Sequence, residues 1–308
     1  MVPVVHRPSQ IEIVEVGPRD GLQNEALIVS TADKLKLIHA AIDAGIRRIE
    51  VTSFVNPRKV PQMADAEAVS AGLPERDGVT YIGLVMNERG ADRLLATRIH
   101  ELGAVCVTTD TFAMRNQGQT SEESLAVAKR IVGMAHAAGR RGQITIAASF
   151  GCPFEGEVAQ DRVVAMARSA AEARPVEIAL ADTIGVAVPA DVERLVARVA
   201  EAIAPIPVRV HFHNTRNTGI ANVWAAVCAG ARTVDAALGG LGGCPFAPGA
   251  AGNVPTEDVI YMLQRSGVAT GVDLDRLIQG AGWLSSVMEK PLPGMLGRAG
   301  TFPKASVQ

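Results

Sequence analysis

Short apolar runs alternate with longer segments of amphipathic spacing along the whole chain. Eight runs have the length and composition of buried strands, at 11–16, 47–52, 80–85, 104–109, 143–149, 176–181, 208–213 and 233–238. Helical spacing follows each of them, at 31–44, 60–72, 88–101, 121–139, 157–173, 189–203, 217–230 and 255–266. Strands that alternate with helices in this way predict parallel βαβ units.

Eight such units in about 250 residues favour a closed (β/α)8 barrel, the TIM barrel of the α/β class. The alternative is an open, doubly wound sheet, which would normally carry a glycine-rich turn after its first strand. No linker rich in Pro, Gly or Ser divides the chain, so we expect one domain over residues 1–308. A further helix at 273–288 and a Gly/Pro-bearing tail predict a C-terminal appendage over about 270–308, packed on the barrel or partly mobile.

Composition narrows the class of protein. The chain has 308 residues, of which 48% are apolar and 20% are charged, so a large core can form. The net charge of −2 argues against a nucleic-acid surface. The N-terminus lacks the apolar core of a signal peptide, and no apolar run reaches the ~18 residues of a membrane span. We therefore expect a cytoplasmic protein with no membrane partner.

The four cysteines lack CxxC spacing, which makes a zinc ribbon or a disulfide framework a poor fit. Cys106 lies in an apolar run and Cys228 in an Ala-rich helical stretch, so both are predicted to be buried thiols. Cys152 follows the fifth predicted strand and could merely line a pocket.

Polar residues at the strand ends are the candidates for chemistry, because active sites of such barrels lie at the C-terminal ends of the strands. His211 and His213 end the seventh strand, and residues i and i+2 of a strand point to the same side. The two imidazoles would enter the barrel about 7 Å apart along the strand, which suits two ligands of one cation. The alternative is one core histidine and one surface histidine.

Asp20 follows the first strand and would add a carboxylate to the two imidazoles. Asn253 follows the eighth strand and would add an amide oxygen. An Arg-Asp pair after a strand is otherwise a common loop salt bridge. A mixed nitrogen and oxygen set suits Mg²⁺ or Mn²⁺ better than structural zinc. The predicted metal ligands are therefore Asp20, His211, His213 and Asn253.

Two further carboxylates are candidates for supporting roles. Glu50 lies inside an apolar run, where a buried carboxylate is costly unless it is paired, and Arg19 is a plausible partner one strand away. The alternative is a structural ion pair at the barrel top. Asp182 ends the sixth strand, but the Asp-Thr pair before Ile-Gly also resembles a helix N-cap.

Cys244 lies in the glycine-rich segment LGGLGGCPFAPGAAGN. Glycines let a loop move and let backbone approach a ligand. A partly exposed thiol there could serve as acid, base or nucleophile if its pKa were lowered. A plain flexible loop is the alternative.

Several of these segments together resemble a known family. They are VEVGPRDGLQNE (14–25), IEVTSFVNPRKVPQM (49–63), GCPFEG (151–156), DTIGV (182–186), HFHN (211–214) and GGLGGCPFAPGAAGN (239–253). The chain resembles the 3-hydroxy-3-methylglutaryl-CoA lyases from about residue 11 to 290. These belong to a metal-dependent barrel superfamily that also includes isopropylmalate and homocitrate synthases. The Arg-Asp-Gly and His-x-His motifs are shared across that superfamily, whereas the cysteine-bearing loop is typical of the lyases.

The resemblance implies retro-Claisen cleavage of a 3-hydroxy-acyl-CoA, with acetyl-CoA and acetoacetate as products of the parent reaction in leucine degradation. It implies a divalent cation on the four predicted ligands and a homo-oligomer, a dimer or larger. Arg19 would stabilise the thioester enolate oxygen, and Cys244 would close over the substrate and transfer a proton. Glu50 and Asp182 would support this arrangement, and His211 is an alternative acid or base.

The chain departs from the family pattern in two segments, 109–119 and the stretch after HFHN. Arg216, in the second, would meet a substrate carboxylate or a CoA phosphate, or be a solvated loop residue. The acyl group therefore stays open between hydroxymethylglutaryl, citramalyl and a longer 3-substituted 3-hydroxyglutaryl group. A synthase that condenses acetyl-CoA with a 2-oxo acid and a barrel that binds ligand without catalysis are the remaining alternatives.

Overall fold

The computed structural model describes residues 8–243 and 252–303, and eight parallel strands close into a barrel in chain order. The strands are β1 Glu12–Glu15, β2 Arg48–Ser53, β3 Thr80–Val85, β4 Glu101–Val107, β5 Arg141–Ala147, β6 Ile178–Asp182, β7 Val208–Phe212 and β8 Thr233–Ala236. The barrel closes because β1 pairs with both β2 and β8. The predicted (β/α)8 fold is confirmed, and the open sheet is wrong.

Helices connect the strands and cover the outside of the barrel. They are α1 Thr31–Asp43, α2 Ala66–Gly72, α3 Glu88–Leu95, α4 Asp110–Gln117, α5 Ser121–Ala137, α6 Gln160–Ala171, α7 Pro189–Ile203, α8 Gly219–Cys228, α9 Thr256–Arg265, α10 Leu274–Val287 and α11 Leu296–Ala299. Three short helical turns, Gly17–Gly21, Pro61–Met63 and Leu238–Gly240, lie in the connecting loops.

Local capping explains where α1 and α5 begin. The Ser30 side chain accepts the backbone N–H of Asp33 at the start of α1. Thr120 and Glu123 form a reciprocal capping box at the start of α5. Such caps satisfy backbone donors that the first helical turn leaves free, each worth about 1 kcal/mol.

The region between β3 and β5 differs from the sequence prediction. The helix predicted at 88–101 ends at Leu95, and β4 begins at Glu101 rather than at 104. Glu101 reads as a polar, helix-compatible residue, but it is fully buried and its carboxylate lies 2.6 Å from the Arg48 guanidinium of β2. This ion pair inside the barrel offsets the cost of burying Glu101 at the start of the strand. Helix α4 is one that the pattern did not predict.

The C-terminal segment forms the expected short helical extension. Helix α10 packs against α1 and against the turn Leu238–Gly240, which lies at the end of β8. The backbone N–H of Asp273 donates to the Ala44 carbonyl oxygen at 2.7 Å. The limits of a single domain over 1–308 stay a prediction, because both termini lie outside the described residues. Within the described part of the chain, no helix has the length and apolar character needed to cross a membrane.

Candidate metal and catalytic site

A cavity of about 550 Å³ opens at the C-terminal ends of the barrel strands. Polar residues from several strand ends line it together with apolar and small residues from β3, β4, β5 and β6. The polar lining residues that the site uses are Arg19, Asp20, Glu50, Arg209, His211, His213 and Asp235. The cavity therefore collects side chains that are up to about 200 residues apart in sequence, as the barrel topology requires.

The turn Gly17–Gly21 carries Arg19 and Asp20 into this cavity directly after β1. The Arg19 guanidinium lies 2.6 Å from the Asp20 carboxylate and 2.8 Å from the carboxylate of the buried Glu50. Glu50 thus has the partner that its burial demands. Because one guanidinium serves two carboxylates, this group carries an excess negative charge that a cation would balance.

Asp20 and the two histidines form a cluster with the dimensions of a metal site. Ligand atoms of Asp20, His211 and His213 all lie within 4.8 Å of one another. The Asp20 Oδ2 atom is 3.9 Å from His211 Nε2 and 3.7 Å from His213 Nε2, both too long for hydrogen bonds. The ring centroids of the two histidines are 5.1 Å apart, and both side chains line the cavity at the barrel mouth.

Electrostatics keep the oxygen ligand ionised. Burial by itself would raise the pKa of Asp20, but Arg19 and the two imidazoles outweigh it and hold the pKa well below its usual range. For His211, burial lowers the pKa, and the Asp235 and Asp20 carboxylates overcome that effect and raise it. A carboxylate beside two imidazoles that face it without hydrogen bonding is a donor set that fits a divalent cation.

Asn253 joins this cluster from the other side of the barrel mouth. It forms an isolated antiparallel bridge with His213, and its Nδ2 donates to Asp20 Oδ2 at 2.9 Å. The Asn253 Oδ1 atom is buried without a hydrogen-bond partner among the described residues, as is His213 Nδ1. An unpartnered buried amide oxygen beside the carboxylate is available as a fourth ligand and fits the predicted set.

Asp182 lies apart from this group although it ends β6. Its two carboxylate oxygens accept the backbone N–H groups of Val186 and Ala187, each at 3.0 Å. Burial outweighs these hydrogen bonds and raises the pKa of Asp182. Its neighbours Ala181 and Thr183 line the cavity, whereas Asp182 organises the loop that leads into α7. Asp182 is not the N-cap of α7, which begins at Pro189 after Val188; its carboxylate is bonded to the backbone of the loop before the helix.

Three other predicted residues have different outcomes. Cys244 lies outside the described residues, so its role stays a prediction. Cys152 is buried, and its sulfur accepts a hydrogen bond from Thr109 at 3.1 Å, so it does not line the cavity. Arg216 donates to the carbonyl oxygens of Ile184 and Gly185 at 3.1 and 2.8 Å. Arg216 therefore connects the loop after β7 to the loop after β6, a role that was not predicted.

The remaining two cysteines confirm the expectation of buried thiols only in part. Cys106 is fully buried, and burial raises its pKa to about 12, so it is inert as a nucleophile at neutral pH. Cys228, the last residue of α8, is half-buried rather than buried as predicted.

Asp235 and Arg209 line the cavity although neither was predicted to be a site residue. The Asp235 carboxylate of β8 lies 3.1 Å from His211 Nδ1 and forms an ion pair with the Arg209 guanidinium. Both side chains are nearly fully buried. The signal was present in the sequence, because Asp235 interrupts an apolar strand in the same way as Glu50 does.

Glu15, at the end of β1, was also missed, and it joins the loops that carry the site. Its carboxylate accepts the backbone N–H groups of Gly17 and Leu238 at 2.8 and 2.9 Å and the Thr256 hydroxyl at 2.7 Å. A Cβ at Gly17 would lie 2.5 Å from Glu15 Oε1, so a larger residue at the start of the turn would displace the Glu15 carboxylate from its hydrogen bonds. One side chain thus contacts the Arg19–Asp20 turn, the start of the glycine-rich segment at Leu238 and the first residue of α9, Thr256.

Glu15 also predicts a pH-dependent contribution to stability. Burial outweighs its hydrogen bonds and raises the pKa of Glu15 to about 7 from a usual 4.5. The folded protein therefore retains this proton over a range in which the unfolded chain has lost it, and the stabilisation is lost as the pH rises through about 7. Relative to Glu15→Gln, we expect the wild-type free energy of unfolding to fall by roughly 2–3 kcal/mol between pH 5 and pH 8.

Urea titrations of both proteins at the two pH values measure this difference. The glutamine can accept both backbone N–H groups and donate to the Thr256 hydroxyl, so Glu15→Gln is expected to fold. A pH-independent difference between the two proteins would contradict the raised pKa.

The outer part of the cavity is cationic. Lys59, before α2, and Arg115, on α4, both line it. Neither forms a salt bridge with any residue in the described ranges, and Arg115 stacks over the Phe154 ring at 4.3 Å. The cavity therefore has a carboxylate-rich inner end that suits a cation and an outer end that suits an anion.

The fold and these side chains define a (β/α)8-barrel protein with a metal-competent cluster at the C-terminal end of the barrel. Residues 10–282 match the profile of the family described as HMGL-like. The chain belongs to this family.

Named relatives share this chain's length as well as its sequence. The (R)-citramalyl-CoA lyase of Chloroflexus aurantiacus is 42% identical, over 94% of this chain and 95% of the relative. A hydroxymethylglutaryl-CoA lyase of Bacillus subtilis is 38% identical, over 93% of this chain and 96% of the relative. The crystal structure of hydroxymethylglutaryl-CoA lyase from Pseudomonas aeruginosa superposes with a TM-score of 0.91 at 36% identity, covering 95% and 98% of the two chains.

Proposed function

We propose that the protein is a metal-dependent carbon–carbon lyase that cleaves a 3-hydroxy-acyl-CoA thioester and releases acetyl-CoA. The observation that carries the proposal is the joint position of Arg19 and the Asp20–His211–His213 cluster at one end of a single cavity. The cationic outer end, with Lys59 and Arg115, supports an anionic substrate such as a CoA thioester. The activities named for the relatives point to the same chemistry.

The proposed reaction breaks the bond between C2 and C3 of the acyl chain. The C3 hydroxyl loses its proton to a base, its electrons form the new carbonyl, and the C2–C3 electron pair moves into a thioester enolate. A proton added to C2 then completes acetyl-CoA. A divalent cation on Asp20, His211, His213 and Asn253 would lower the pKa of a hydroxyl bound to it.

The chain's own residues supply the rest of the proposed chemistry. The Arg19 guanidinium stabilises the negative charge on the enolate oxygen, and a single such donor contributes ~3–4 kcal/mol. Asp20 and Glu50 hold that guanidinium in place from two sides. Cys244 is proposed to deliver the final proton from the glycine-rich segment, and His211 is the alternative acid or base. Asp182 supports the site through the β6–α7 loop.

Hydroxymethylglutaryl-CoA, cleaved to acetyl-CoA and acetoacetate, is the first proposed substrate. Citramalyl-CoA is the second, because the Chloroflexus relative that bears this activity matches the chain at 42% identity. The departures in 109–119 support this alternative, since α4 carries that segment along the cavity wall. Mg²⁺ or Mn²⁺ as the ion, a cytoplasmic location and a dimer or larger homo-oligomer remain parts of the proposal.

Purified protein incubated with Mg²⁺ and a panel of thioesters tests the proposal. The panel contains hydroxymethylglutaryl-CoA, citramalyl-CoA and a longer 3-substituted 3-hydroxyglutaryl-CoA, and acetyl-CoA release is measured with and without a chelator. We expect release from at least one thioester and its loss when the metal is removed. Product formed only from acetyl-CoA and a 2-oxo acid would identify a synthase, and binding without turnover of any kind would identify a non-catalytic barrel.

A further inference from the structure

The His211 ring lies between two carboxylates that face its two nitrogens. On one side, Nε2 is 3.9 Å from Asp20 Oδ2 in the metal-competent cluster. On the other side, Nδ1 is 3.1 Å from Asp235 Oδ2. A neutral imidazole has one N–H and one lone pair, and the N–H goes to the nitrogen with the hydrogen-bond acceptor. The contact with Asp235 therefore directs the Nε2 lone pair toward Asp20.

Barrel register brings the two residues together. His211 of β7 pairs directly with Asp235 of β8, so their side chains enter the barrel side by side. The Asp235 carboxylate uses one oxygen for His211 and the other for the Arg209 guanidinium. Arg209 is itself held by the Gln143 side chain and by Glu177 at 3.2 Å.

The whole chain of contacts is buried, so it has few alternative arrangements. Arg209 is 2% exposed and Asp235 is 5% exposed. A carboxylate that is held on its far side by a buried guanidinium can hold an imidazole in one orientation.

His213 provides the internal comparison. Its Nε2 also faces Asp20, at 3.7 Å, but its Nδ1 is buried with no hydrogen-bond partner among the described residues. The two imidazoles of the cluster are thus held by different means. His211 has a carboxylate contact at its ring, whereas the β-bridge between His213 and Asn253 fixes only the backbone of His213.

We infer that Asp235, held by Arg209, is a positioning residue for the metal site: it fixes His211 as the Nδ1–H tautomer and presents Nε2 to the cation. The inference rests on the proposed metal site and names a residue that acts on the ion through His211. Partners of this kind typically change metal affinity 10- to 100-fold when they are removed.

The tautomer is measured first, on the native protein. Nitrogen-15 NMR of histidine-labelled, metal-loaded protein reports which ring nitrogen carries the proton, and the His211 signals are assigned by their absence from His211→Gln. We expect a protonated Nδ1 and an unprotonated Nε2. An Nε2–H tautomer for His211 would overturn the inference without any substitution at Asp235.

Metal affinity gives the second readout. Calorimetric titration with Mn²⁺ is expected to show that Asp235→Asn binds the ion with a dissociation constant 10- to 100-fold larger than that of the wild type. Glu101→Gln is the matched control, because Glu101 is also a buried carboxylate paired with a buried arginine, but it does not line the cavity. Glu101→Gln should retain wild-type affinity even if it loses stability to a similar extent.

The outcomes separate this inference from the proposed function. Wild-type protein that binds no divalent cation would remove the metal site itself. Wild-type and Asp235→Asn proteins that bind Mn²⁺ equally well would leave the metal site intact and reject only the role of Asp235. Equal weakening in Glu101→Gln and Asp235→Asn would assign the effect to general loss of barrel stability, which also overturns the inference.

Discussion

Asp20→Ala is expected to bind Mn²⁺ or Mg²⁺ at least about a hundredfold more weakly than the wild type, beyond the range for loss of an outer partner of a ligand. Asp20 is the anionic member of the cluster, and its carboxylate faces both imidazoles at less than 4 Å. Its removal also leaves Arg19, 2.6 Å away in the native protein, as a cation beside the site with only Glu50 to balance it. Isothermal titration with Mn²⁺ measures the change, and His213→Ala should change the affinity in the same direction.

Two variants serve as controls for this prediction. Asp77→Ala removes an exposed carboxylate in the loop before β3 and should leave metal affinity unchanged. Cys244→Ala should retain the metal and lose turnover, because the thiol is proposed to move a proton rather than to bind the ion. Unchanged affinity in Asp20→Ala would show that the cluster is not the metal site, and loss of metal in Cys244→Ala would show that the proposed role of the thiol is wrong.

Arg19→Met is expected to lower kcat by about 10²- to 10³-fold, the effect of removing one donor that stabilises an oxyanion. The loss should fall on kcat rather than on KM, because the negative charge on the thioester oxygen develops only as the C2–C3 bond breaks. Steady-state kinetics on the thioester that the panel identifies measures the two parameters separately. Metal affinity should be retained, because Asp20 and both histidines remain.

The controls for Arg19 address stability and charge. Arg19→Met leaves the buried Glu50 unpaired, so thermal denaturation must show that the variant is folded under the assay conditions. Arg19→Lys keeps the charge but lacks the planar fork that contacts Asp20 and Glu50 together, so it should recover only part of the lost kcat. Arg47→Met, at the opposite end of the barrel, should leave kcat unchanged. An increase in KM alone for Arg19→Met would assign Arg19 to substrate binding instead.

Periodicity predicted most of the fold because burial imposes it directly. Helix α7 lies where the pattern placed it, at Pro189–Ile203, since its apolar face must pack on the sheet. The prediction was wrong at the start of β4, where Glu101 is buried. Arg48, more than fifty residues earlier in the chain, supplies the counter-charge of Glu101.

Some residues of the candidate site could likewise be predicted from local sequence, and others could not. His211 and His213 could be placed together because the alternation of a strand is a local property, and Asp20 because it follows a strand end. The orientation of Asp182 toward the Val186 and Ala187 backbone could not be predicted, since an N-cap and a cavity residue read alike at that position.

The sequence by itself determined the closed eightfold barrel, the end at which its polar residues collect and the residues that form the metal-competent cluster. These properties follow from strand alternation, helix spacing and the order of elements, which are all local. Only the tertiary structure decided which side chains meet across the barrel: Arg209 with Asp235, Asp235 with His211, and Glu15 with the ends of two distant loops. Those contacts depend on register between strands and on burial of charge, and neither is encoded in any single stretch of residues.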